Sequence, residues 1–212
     1  MITVQSFEVN YFSENTYLLY DETGEAVLID CGCLRKQEEK TLSDFIEENK
    51  LTLKRYLCTH LHLDHIFGNG FVYETYQLKP EAHKADVEGL PSPNEQAKLF
   101  GLPGRMQEIP VEKYIAGGET IRFGNSELQI LSVPGHSPGS VAFYNAKNGF
   151  VIVGDALFAG SIGRTDLWGG NQDVLVAAIR DKLLTLPDET IVYPGHGPTT
   201  TIIDEKLNNP YL

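Results

Sequence analysis

Cysteine is scarce in this sequence. Its 212 residues include three cysteines, Cys31, Cys33 and Cys58. An odd number with a C-x-C spacing does not indicate a disulfide framework, so we expect reduced thiols that serve as small buried residues at strand ends. The N-terminus lacks a charged leader followed by an apolar core, and no apolar run approaches the length of a membrane span. These absences favour a cytoplasmic protein with no membrane partner.

Positive charge is also scarce. The chain has 17 basic and 29 acidic residues and a formal net charge of −12. Proteins that bind nucleic acid neutralise phosphates with lysine and arginine, so this balance argues against a nucleic-acid partner and against a nuclease. The apolar content of 42% is sufficient for a sizeable core, and we expect residues 1–212 to form one domain.

Histidine, by contrast, is concentrated in one place. The stretch YLCTHLHLDHIFG at residues 56–68 holds three of the six histidines and an aspartate. The segment Leu53 to Thr59 predicts a strand, so His60 and His62, two positions apart beyond its end, can project to the same side. Asp64 and His65 are adjacent and should point in different directions. This arrangement suits two neighbouring metal ions better than one closed tetrahedral site.

Three further ligand-type residues stand at the ends of later strand-like segments. They are His136 in VPGHSPGS, Asp155 in VIVGD and His196 in VYPGHGP. The alternative, a set of exposed loop histidines, is weak because these side chains have no packing role and would be costly to bury unpaired. Strand ends that each deliver one ligand to a common edge indicate a metal centre.

This order of ligands resembles the metallo-β-lactamase superfamily, whose pattern is H-x-H-x-D-H followed by a later histidine, an aspartate and a final histidine. The resemblance covers almost the whole chain. It implies an α/β fold, the αββα four-layer sandwich. Within the superfamily, the segment GDALFAGSIGRTD at residues 154–166 resembles the glyoxalase II and persulfide dioxygenase branch, in particular its small single-domain glyoxalase II-like members.

The resemblance also implies two divalent metal ions, with zinc expected and iron or a zinc–iron mixture as alternatives. Asp155 would bridge the ions, and the other ligands would divide between them: His60, His62 and His136 on one, and Asp64, His65 and His196 on the other. Water between two such ions should lose a proton and become a metal-bridging hydroxide. We predict that Asp64 receives or orients that proton. Asp30, which closes a strand, would support the ligand loop from behind, and a turn-forming aspartate is the alternative.

Hydrophobic periodicity predicts the scaffold around these residues. An antiparallel meander should begin the chain, followed by an amphipathic helix at Arg35 to Lys50. Helices are also expected near Phe71 to Leu78 and at Asp173 to Leu186. The expected strands are Thr3 to Val9, Thr16 to Tyr20, Ala26 to Asp30, Leu53 to Thr59, Thr120 to Phe123, Leu128 to Val133, Val141 to Tyr144, Phe150 to Val153 and Ile191 to Tyr193.

Residues 89–108 are the least strand-like part of the chain. Their prolines and glycines surround a short apolar stretch, and we expect an insertion or lid with one short helix, Ala97 to Phe100, over the site. A connecting loop is the alternative. The sixth histidine, His83, has no partner pattern and is expected to be a solvated helix residue.

Arg164 is the candidate contact for an anionic substrate group, and an ion pair with Asp166 is the alternative. The chain lacks the long helical C-terminal region that supplies glutathione contacts in two-domain glyoxalase II. The leading expectation is an enzyme that hydrolyses a small acyl thioester of the 2-hydroxyacyl glutathione type.

Three other functions share parts of this ligand pattern. A persulfide dioxygenase would need a single iron on His60, His136 and Asp155. Lactonase or β-lactamase activity uses the same ligand set, and a metal-binding module without catalysis is a distant alternative.

Overall fold

Two six-stranded sheets organise the molecule. A computed structural model describes residues 1–102 and 106–212. The first sheet pairs its first three strands antiparallel, as the predicted meander requires, and the next three parallel. Its strands, in order across the sheet, are β1 (Thr3–Val9), β2 (Glu14–Tyr20), β3 (Glu25–Ile29), β4 (Thr52–Leu57), β5 (Pro80–Ala82) and β6 (Lys113–Tyr114).

The second sheet is built from the C-terminal half of the chain. Four strands form an antiparallel meander, a fifth pairs in parallel with the last of these four, and a sixth closes the edge. Its strands are β7 (Thr120–Phe123), β8 (Ser126–Ser132), β9 (Val141–Asn145), β10 (Phe150–Gly154), β13 (Ile191–Pro194) and β14 (Thr200–Thr201). A separate hairpin consists of β11 (Leu157–Phe158) and β12 (Ser161–Ile162).

Helices cover the outer face of each sheet. Among the described residues they are α1 (Lys36–Glu48), α2 (Leu63–Ile66), α3 (Asn69–Tyr76), α4 (Lys84–Gly89), α5 (Pro93–Leu99), α6 (Gln172–Ala178) and α7 (Ile202–Asn208). A π-helical turn, Ile179–Leu183, continues α6. Within the part of the chain that the structure describes, no helix is both long and apolar enough to cross a membrane.

Three apolar clusters show how the layers pack. One lies between the sheets and includes Leu19 and Ile29 from the first and Phe143 and Ile152 from the second. The second cluster joins the outer face of the first sheet to α1 and α3 and also contains the three buried, unpaired cysteines. The third joins the second sheet to α6, its π-helical turn and α7. Helix, sheet, sheet, helix is the αββα order, so the expected fold class is confirmed.

The expected elements form with shifted ends, and several short ones were missed. The helix near Phe71 begins at Asn69, and the short helix expected at Ala97 to Phe100 is observed as Pro93–Leu99. The short strands β5 and β6 lack the alternation that marks a longer strand. The prediction for His83 was wrong: it is the half-buried N-cap of α4, where Nδ1 accepts a hydrogen bond from the Ala85 amide at 3.1 Å.

Residues 103–105 lie outside the described residues, so the predicted insertion or lid at residues 89–108 can be followed only in part. Gln96, on α5, is buried and contacts the ligand loop through hydrogen bonds to the backbone of Leu61 and Leu63. The helix expected over the site is therefore attached to the loop that carries the first ligands. Closure as a lid stays a prediction.

Candidate metal centre

The loop after β4 places the first four ligand-type side chains. Asp30, directly after β3, has a left-handed backbone (φ 56°) and accepts hydrogen bonds from the Thr59 amide and hydroxyl, both at 2.7 Å. His62 is the N-cap of the single helical turn α2, which carries Asp64 and His65. Because successive residues on a helix are about 100° apart, adjacent Asp64 and His65 leave the backbone in different directions, as predicted.

His60, His62 and His136 form the first cluster. All three are buried, and their candidate ligand atoms lie within 4.8 Å of one another. Nε2 of His136 is 2.8 Å from Nδ1 of His62 and 3.3 Å from Nε2 of His60. His136 follows β8, so the two sheets jointly build this cluster.

Asp64, His65 and His196 form the second cluster, again with candidate ligand atoms within 4.8 Å of one another. Oδ2 of Asp64 lies 3.2 Å from Nε2 of His196 and 3.9 Å from Nε2 of His65. His65 is completely buried, whereas His196 is 24% exposed and Asp64 20% exposed. The second cluster is therefore the one more accessible to solvent.

Asp155 lies between the two clusters. Its Oδ1 is 3.2 Å from Nε2 of His65, and its Oδ2 is 3.7 Å from Nε2 of His136 and 3.5 Å from Nε2 of His196. Residue 195 has no space for a side chain, because a Cβ at Gly195 would overlap Oδ1 of Asp155 and crowd the His65 ring. Glycine at this position lets the last ligand loop approach the carboxylate.

Unsatisfied polar atoms test whether metal ions fit here. Buried polar atoms in proteins nearly always have hydrogen-bond partners. Among the described residues, five buried side-chain nitrogen or oxygen atoms lack one. Two of them, Nε2 of His65 and Oδ1 of Asp155, lie 3.2 Å apart between the clusters. A third is Nε2 of His62, although His62 approaches His136 through Nδ1. Imidazole nitrogens and carboxylate oxygens are suitable ligands for zinc or iron, so the residues fit such ions.

The two clusters differ in electrostatics. Burial lowers the pKa of His60 well below its usual value, and burial with His136 lowers the pKa of His62 to about 3. Burial also opposes charge on His65, but Asp155 and Asp64 raise its pKa above the usual value. Burial alone would raise the pKa of Asp155, yet the imidazoles around it keep that pKa low. Burial thus disfavours a proton on His60 and His62 in the first cluster, whereas the neighbouring carboxylates favour one on His65 in the second.

Most of the imidazoles are oriented by hydrogen bonds on the side away from the centre. Nδ1–H of His60 donates to the Thr59 hydroxyl at 3.0 Å, and Nδ1–H of His136 donates to the Arg164 carbonyl at 2.7 Å. Nδ1 of His65 lies 2.9 Å from Oδ2 of Asp30. Holding Nδ1 in this way fixes the tautomer and leaves Nε2 free to bind a metal.

The Asp30 carboxylate lies behind two of the imidazoles, and its supporting role stays a prediction. Its carboxylate contacts the His65 imidazole and, through Thr59, also positions His60. Asp30, His60 and His65 also lie within ligand distance of one another. Both oxygens of Asp30 already accept hydrogen bonds, so the carboxylate is an acceptor behind the imidazoles.

Comparison with known proteins establishes the family. Residues 9–196 match the family model of the Metallo-beta-lactamase superfamily. The chain belongs to this superfamily. It is 36% identical over 215 residues to hydroxyacylglutathione hydrolase GloC of Haemophilus influenzae, covering 100% of this chain and 98% of the relative.

Three solved structures show the same superfamily fold. The BLEG-1 B3 metallo-beta-lactamase is 35% identical with a TM-score of 0.88, covering 100% of this chain and 99% of that chain. TTHA1623 in a di-iron-bound form is 37% identical with a TM-score of 0.85, and the match covers 99% of this chain and 100% of that chain. ETHE1 from Myxococcus xanthus is 32% identical with a TM-score of 0.79, and the match covers 98% of this chain and 83% of that chain. The superfamily fold implies divalent metal ions.

Several supporting residues of this superfamily member escaped the sequence analysis. Asp86, buried on α4, accepts hydrogen bonds from the Leu61 amide at 3.0 Å, the Ser137 hydroxyl at 2.9 Å and the Gly139 amide at 2.6 Å. It therefore joins the loop of His60 and His62 to the loop of His136. These partners are separated by about 25 and 50 positions along the chain, so no local pattern marks Asp86.

Residues of β2 support the second cluster. Asn15 donates hydrogen bonds from Nδ2 to the carbonyls of Pro194 at 3.1 Å and Gly197 at 2.9 Å, on either side of His196. Glu14 is completely buried; its Oε2 accepts from the Thr16 hydroxyl at 2.7 Å, and its Oε1 lies 3.7 Å from Nδ1 of His65. The ENTY sequence looks like an ordinary strand, so only the fold reveals these contacts.

A cavity of about 200 Å³ opens above the two clusters. Arg164 lines it, but its guanidinium makes a two-fold hydrogen bond with the Asp166 carboxylate, at 2.7 and 2.8 Å. This is the ion pair that the sequence left as the alternative. Contact between Arg164 and a substrate stays a prediction. The other lining residues are Phe12, His62, Leu63, Asp64, Phe100, His136, Asp155, Leu167 and His196.

Proposed function

We propose that this chain is a dinuclear metallohydrolase that cleaves a small acyl thioester of the 2-hydroxyacyl glutathione type. The observation that carries the proposal is the Asp155 carboxylate, which lies 3.2 Å from a nitrogen of His65 in one cluster and 3.7 Å from a nitrogen of His136 in the other. Similarity to a relative named hydroxyacylglutathione hydrolase supports the substrate class.

The seven ligand-type residues divide between two ions in this proposal. Zinc is the expected metal for imidazole and carboxylate ligands, and similarity to a di-iron-bound structure supports iron or a zinc–iron mixture as alternatives. When bound, the two ions would acidify a water molecule and polarise the thioester carbonyl. We assign Asp155 to both ions, His60, His62 and His136 to the first, and Asp64, His65 and His196 to the second.

Asp64 is the carboxylate that we assign to the proton of the attacking water. It lines the cavity and is 20% exposed, so it can reach both the second cluster and an entering substrate. A thiolate leaves without prior protonation, so the reaction needs no dedicated general acid. One accessible carboxylate is therefore sufficient for the proton transfers that we assign to side chains.

The proposal also covers the setting of the reaction. A cavity of about 200 Å³ suits a small molecule rather than a macromolecular chain. The three cysteines are free and buried, as expected in the reducing cytoplasm. We accordingly propose a cytoplasmic enzyme with a small-molecule thioester substrate and without a nucleic-acid or membrane partner.

A persulfide dioxygenase is the second candidate, supported by the similarity to ETHE1. Its single iron would bind His60, His136 and Asp155, whose side chains lie together here. The complete second cluster favours hydrolysis instead, because a one-iron dioxygenase does not require Asp64 or His196. Similarity to the BLEG-1 enzyme supports testing β-lactams and lactones on the same preparation.

Metal content and turnover together test the proposal. The protein would be purified metal-free, reconstituted separately with zinc and iron, and analysed for metal per chain. We expect about two ions per chain and release of thiol from a 2-hydroxyacyl glutathione. A plateau at one iron, with oxygen consumed on glutathione persulfide, would establish the dioxygenase. Faster cleavage of lactones or β-lactams than of any thioester would refute the proposed substrate class.

A further inference from the structure

Three aromatic side chains from separate loops pack together beside the cavity mouth. Phe12 and Phe100 line the cavity and pack edge to face, with ring centroids 6.3 Å apart. Trp168 packs edge to face on Phe100 at 6.5 Å. We refer to Phe12, Phe100 and Trp168 as the aromatic rim. Phe12 is 43% exposed and Phe100 is 40% exposed, so the rim presents apolar surface to solvent directly beside the metal centre.

The rim is fixed relative to both ligand clusters. Trp168 lies 6.3 Å from the His62 ring, beside the first cluster. The carbonyl of Phe12 accepts a hydrogen bond from Nδ1–H of His196, in the second cluster, at 2.9 Å. The Phe12 amide in turn donates to Oδ1 of Asn10 at 2.8 Å. A group held on the rim would therefore stand at a defined distance from both clusters.

Charge near the mouth does not favour a strongly anionic group. Among the described residues that line the cavity, Arg164 is the one lysine or arginine, and Asp166 already accepts two hydrogen bonds from it. The remaining lining side chains are apolar or belong to the ligand clusters. Recognition of a group at the rim itself would consequently come largely from burial of apolar surface.

The cavity volume limits what can be enclosed. Pockets for drug-sized ligands usually measure about 300 to 1,000 Å³, whereas this cavity measures about 200 Å³. It can enclose the thioester and a small neighbouring group, but not a whole tripeptide carrier. A bulkier group next to the thioester would extend out of the cavity, where Phe12 and Phe100 line the mouth.

We propose that the aromatic rim selects thioesters that carry an aryl or other bulky apolar group next to the reacting carbonyl, over thioesters that carry only a methyl group there. The inference rests on the proposed function for its assay, although the rim could bind such groups without hydrolysis. The apolar group can belong to the acyl side or to the thiol side, and these two sources require separate measurements.

The acyl side is tested with one carrier. We would compare kcat/KM for S-mandeloylglutathione and S-lactoylglutathione, which differ by a phenyl in place of a methyl. The preference for the phenyl compound should fall about three- to tenfold in Phe100→Ala and in Trp168→Ala, the range expected for one aromatic contact. Trp168→Phe should restore most of it. Leu99→Ala is the matched control, because Leu99 is 64% exposed and does not line the cavity.

The thiol side is tested with one acyl group. Acetyl thioesters of benzyl mercaptan and N-acetylcysteamine would be compared in the same variants. A rim-dependent preference in either series supports the proposal and identifies which side of the thioester the rim contacts. Equal preferences in the wild type, Phe100→Ala and Trp168→Ala in both series would overturn it.

Binding without turnover separates failure of this inference from failure of the proposed function. Trp168 is the single tryptophan of the chain, so its fluorescence reports ligands at the rim. The non-hydrolysable S-benzylglutathione should change this fluorescence at lower concentration than S-methylglutathione, and Phe12→Ala and Phe100→Ala should reduce the difference. If no thioester is hydrolysed but this preference holds, the rim proposal stands and the hydrolase proposal fails. Equal affinity for both thioethers would count against the rim.

Discussion

Asp30→Asn should distinguish the role of Asp30 in orienting the candidate metal ligands from its contribution to the stability of the fold. The substitution keeps the size of the side chain but replaces one acceptor oxygen with an amide. Asparagine can still accept from the Thr59 amide. It cannot also accept from the Thr59 hydroxyl and from His65, which now share Oδ2 at 2.7 and 2.9 Å. Two of the three hydrogen bonds to this carboxylate are therefore lost.

The size of the effect follows from those two hydrogen bonds. Each bond to a charged group contributes about 1.5 to 3 kcal/mol, and relaxation recovers part of the loss. We expect the free energy of unfolding to fall by about 3 kcal/mol. Weakened orientation of a metal-binding histidine typically costs about 10- to 100-fold in affinity, and we expect this loss at the second cluster.

Asp21→Asn is the matched control. Asp21 is equally buried and accepts from the amides of Thr23 and Asn125 at 3.0 and 2.7 Å and from the Ser126 hydroxyl at 2.8 Å, at the opposite end of β3. Urea unfolding should show similar losses of stability for both variants. Competition with a chelator should show weaker metal binding only for Asp30→Asn. Equal metal affinity in the two variants would refute the supporting role of Asp30.

Four other substitutions and one pH dependence give distinct outcomes. Asp64→Asn and His196→Ala should each lower kcat at least about 100-fold with little change in the urea midpoint of unfolding. Both substitutions remove a proposed metal ligand, and Asp64→Asn also removes the proposed proton acceptor. Variants that turn over at the wild-type rate with full metal occupancy would contradict this prediction. Arg164→Ala should raise KM for an anionic thioester more than it lowers kcat. Asp166→Asn should lower KM, because it weakens the ion pair that holds Arg164. An unchanged KM in Arg164→Ala would leave Arg164 with a structural role only. Burial acts to raise the pKa of Asp21, but hydrogen bonds from Thr23 and Ser126 lower it to about 2. The stability lost in Asp21→Asn should therefore be complete at pH 7 and vanish near pH 2, where protonation removes the advantage of the carboxylate. A loss of stability that stays constant between pH 7 and pH 2 would show that the charge is irrelevant.

The candidate ligand residues could be found from sequence because most of them follow the end of a strand, with Asp64 and His65 on the helical turn just after. Parallel strands expose their C-terminal ends on one edge, so a histidine or aspartate after β4, β8, β10 and β13 reaches that edge without any knowledge of packing. The order of the helices and longer strands followed from periodicity for the same reason. Local signals are enough where a residue's role depends on its own element.

The supporting residues depended on contacts across the chain. Asp86 and Gln96 attach to the ligand loop from helices that begin more than 20 positions later, and Asn15 attaches from β2. Neither residue type nor spacing distinguishes them from ordinary surface or strand residues. His83 was misplaced by one position, because a half-buried N-cap and a first-turn residue look alike in sequence.

The attachment of the His196 loop to β2 has a consequence for folding during synthesis. The amide of Asn15 donates to the Gly195 carbonyl at 2.8 Å, and the Tyr17 hydroxyl donates to the Pro194 carbonyl at 2.6 Å, across about 180 positions. Contacts of such high sequence separation form late, since a long loop must close first. The first cluster is complete once residue 136 has left the ribosome, but the second must wait for nearly the entire chain. Under the proposed assignment of two ions, a nascent chain stalled near residue 190 should consequently acquire one ion and bind the other only after release.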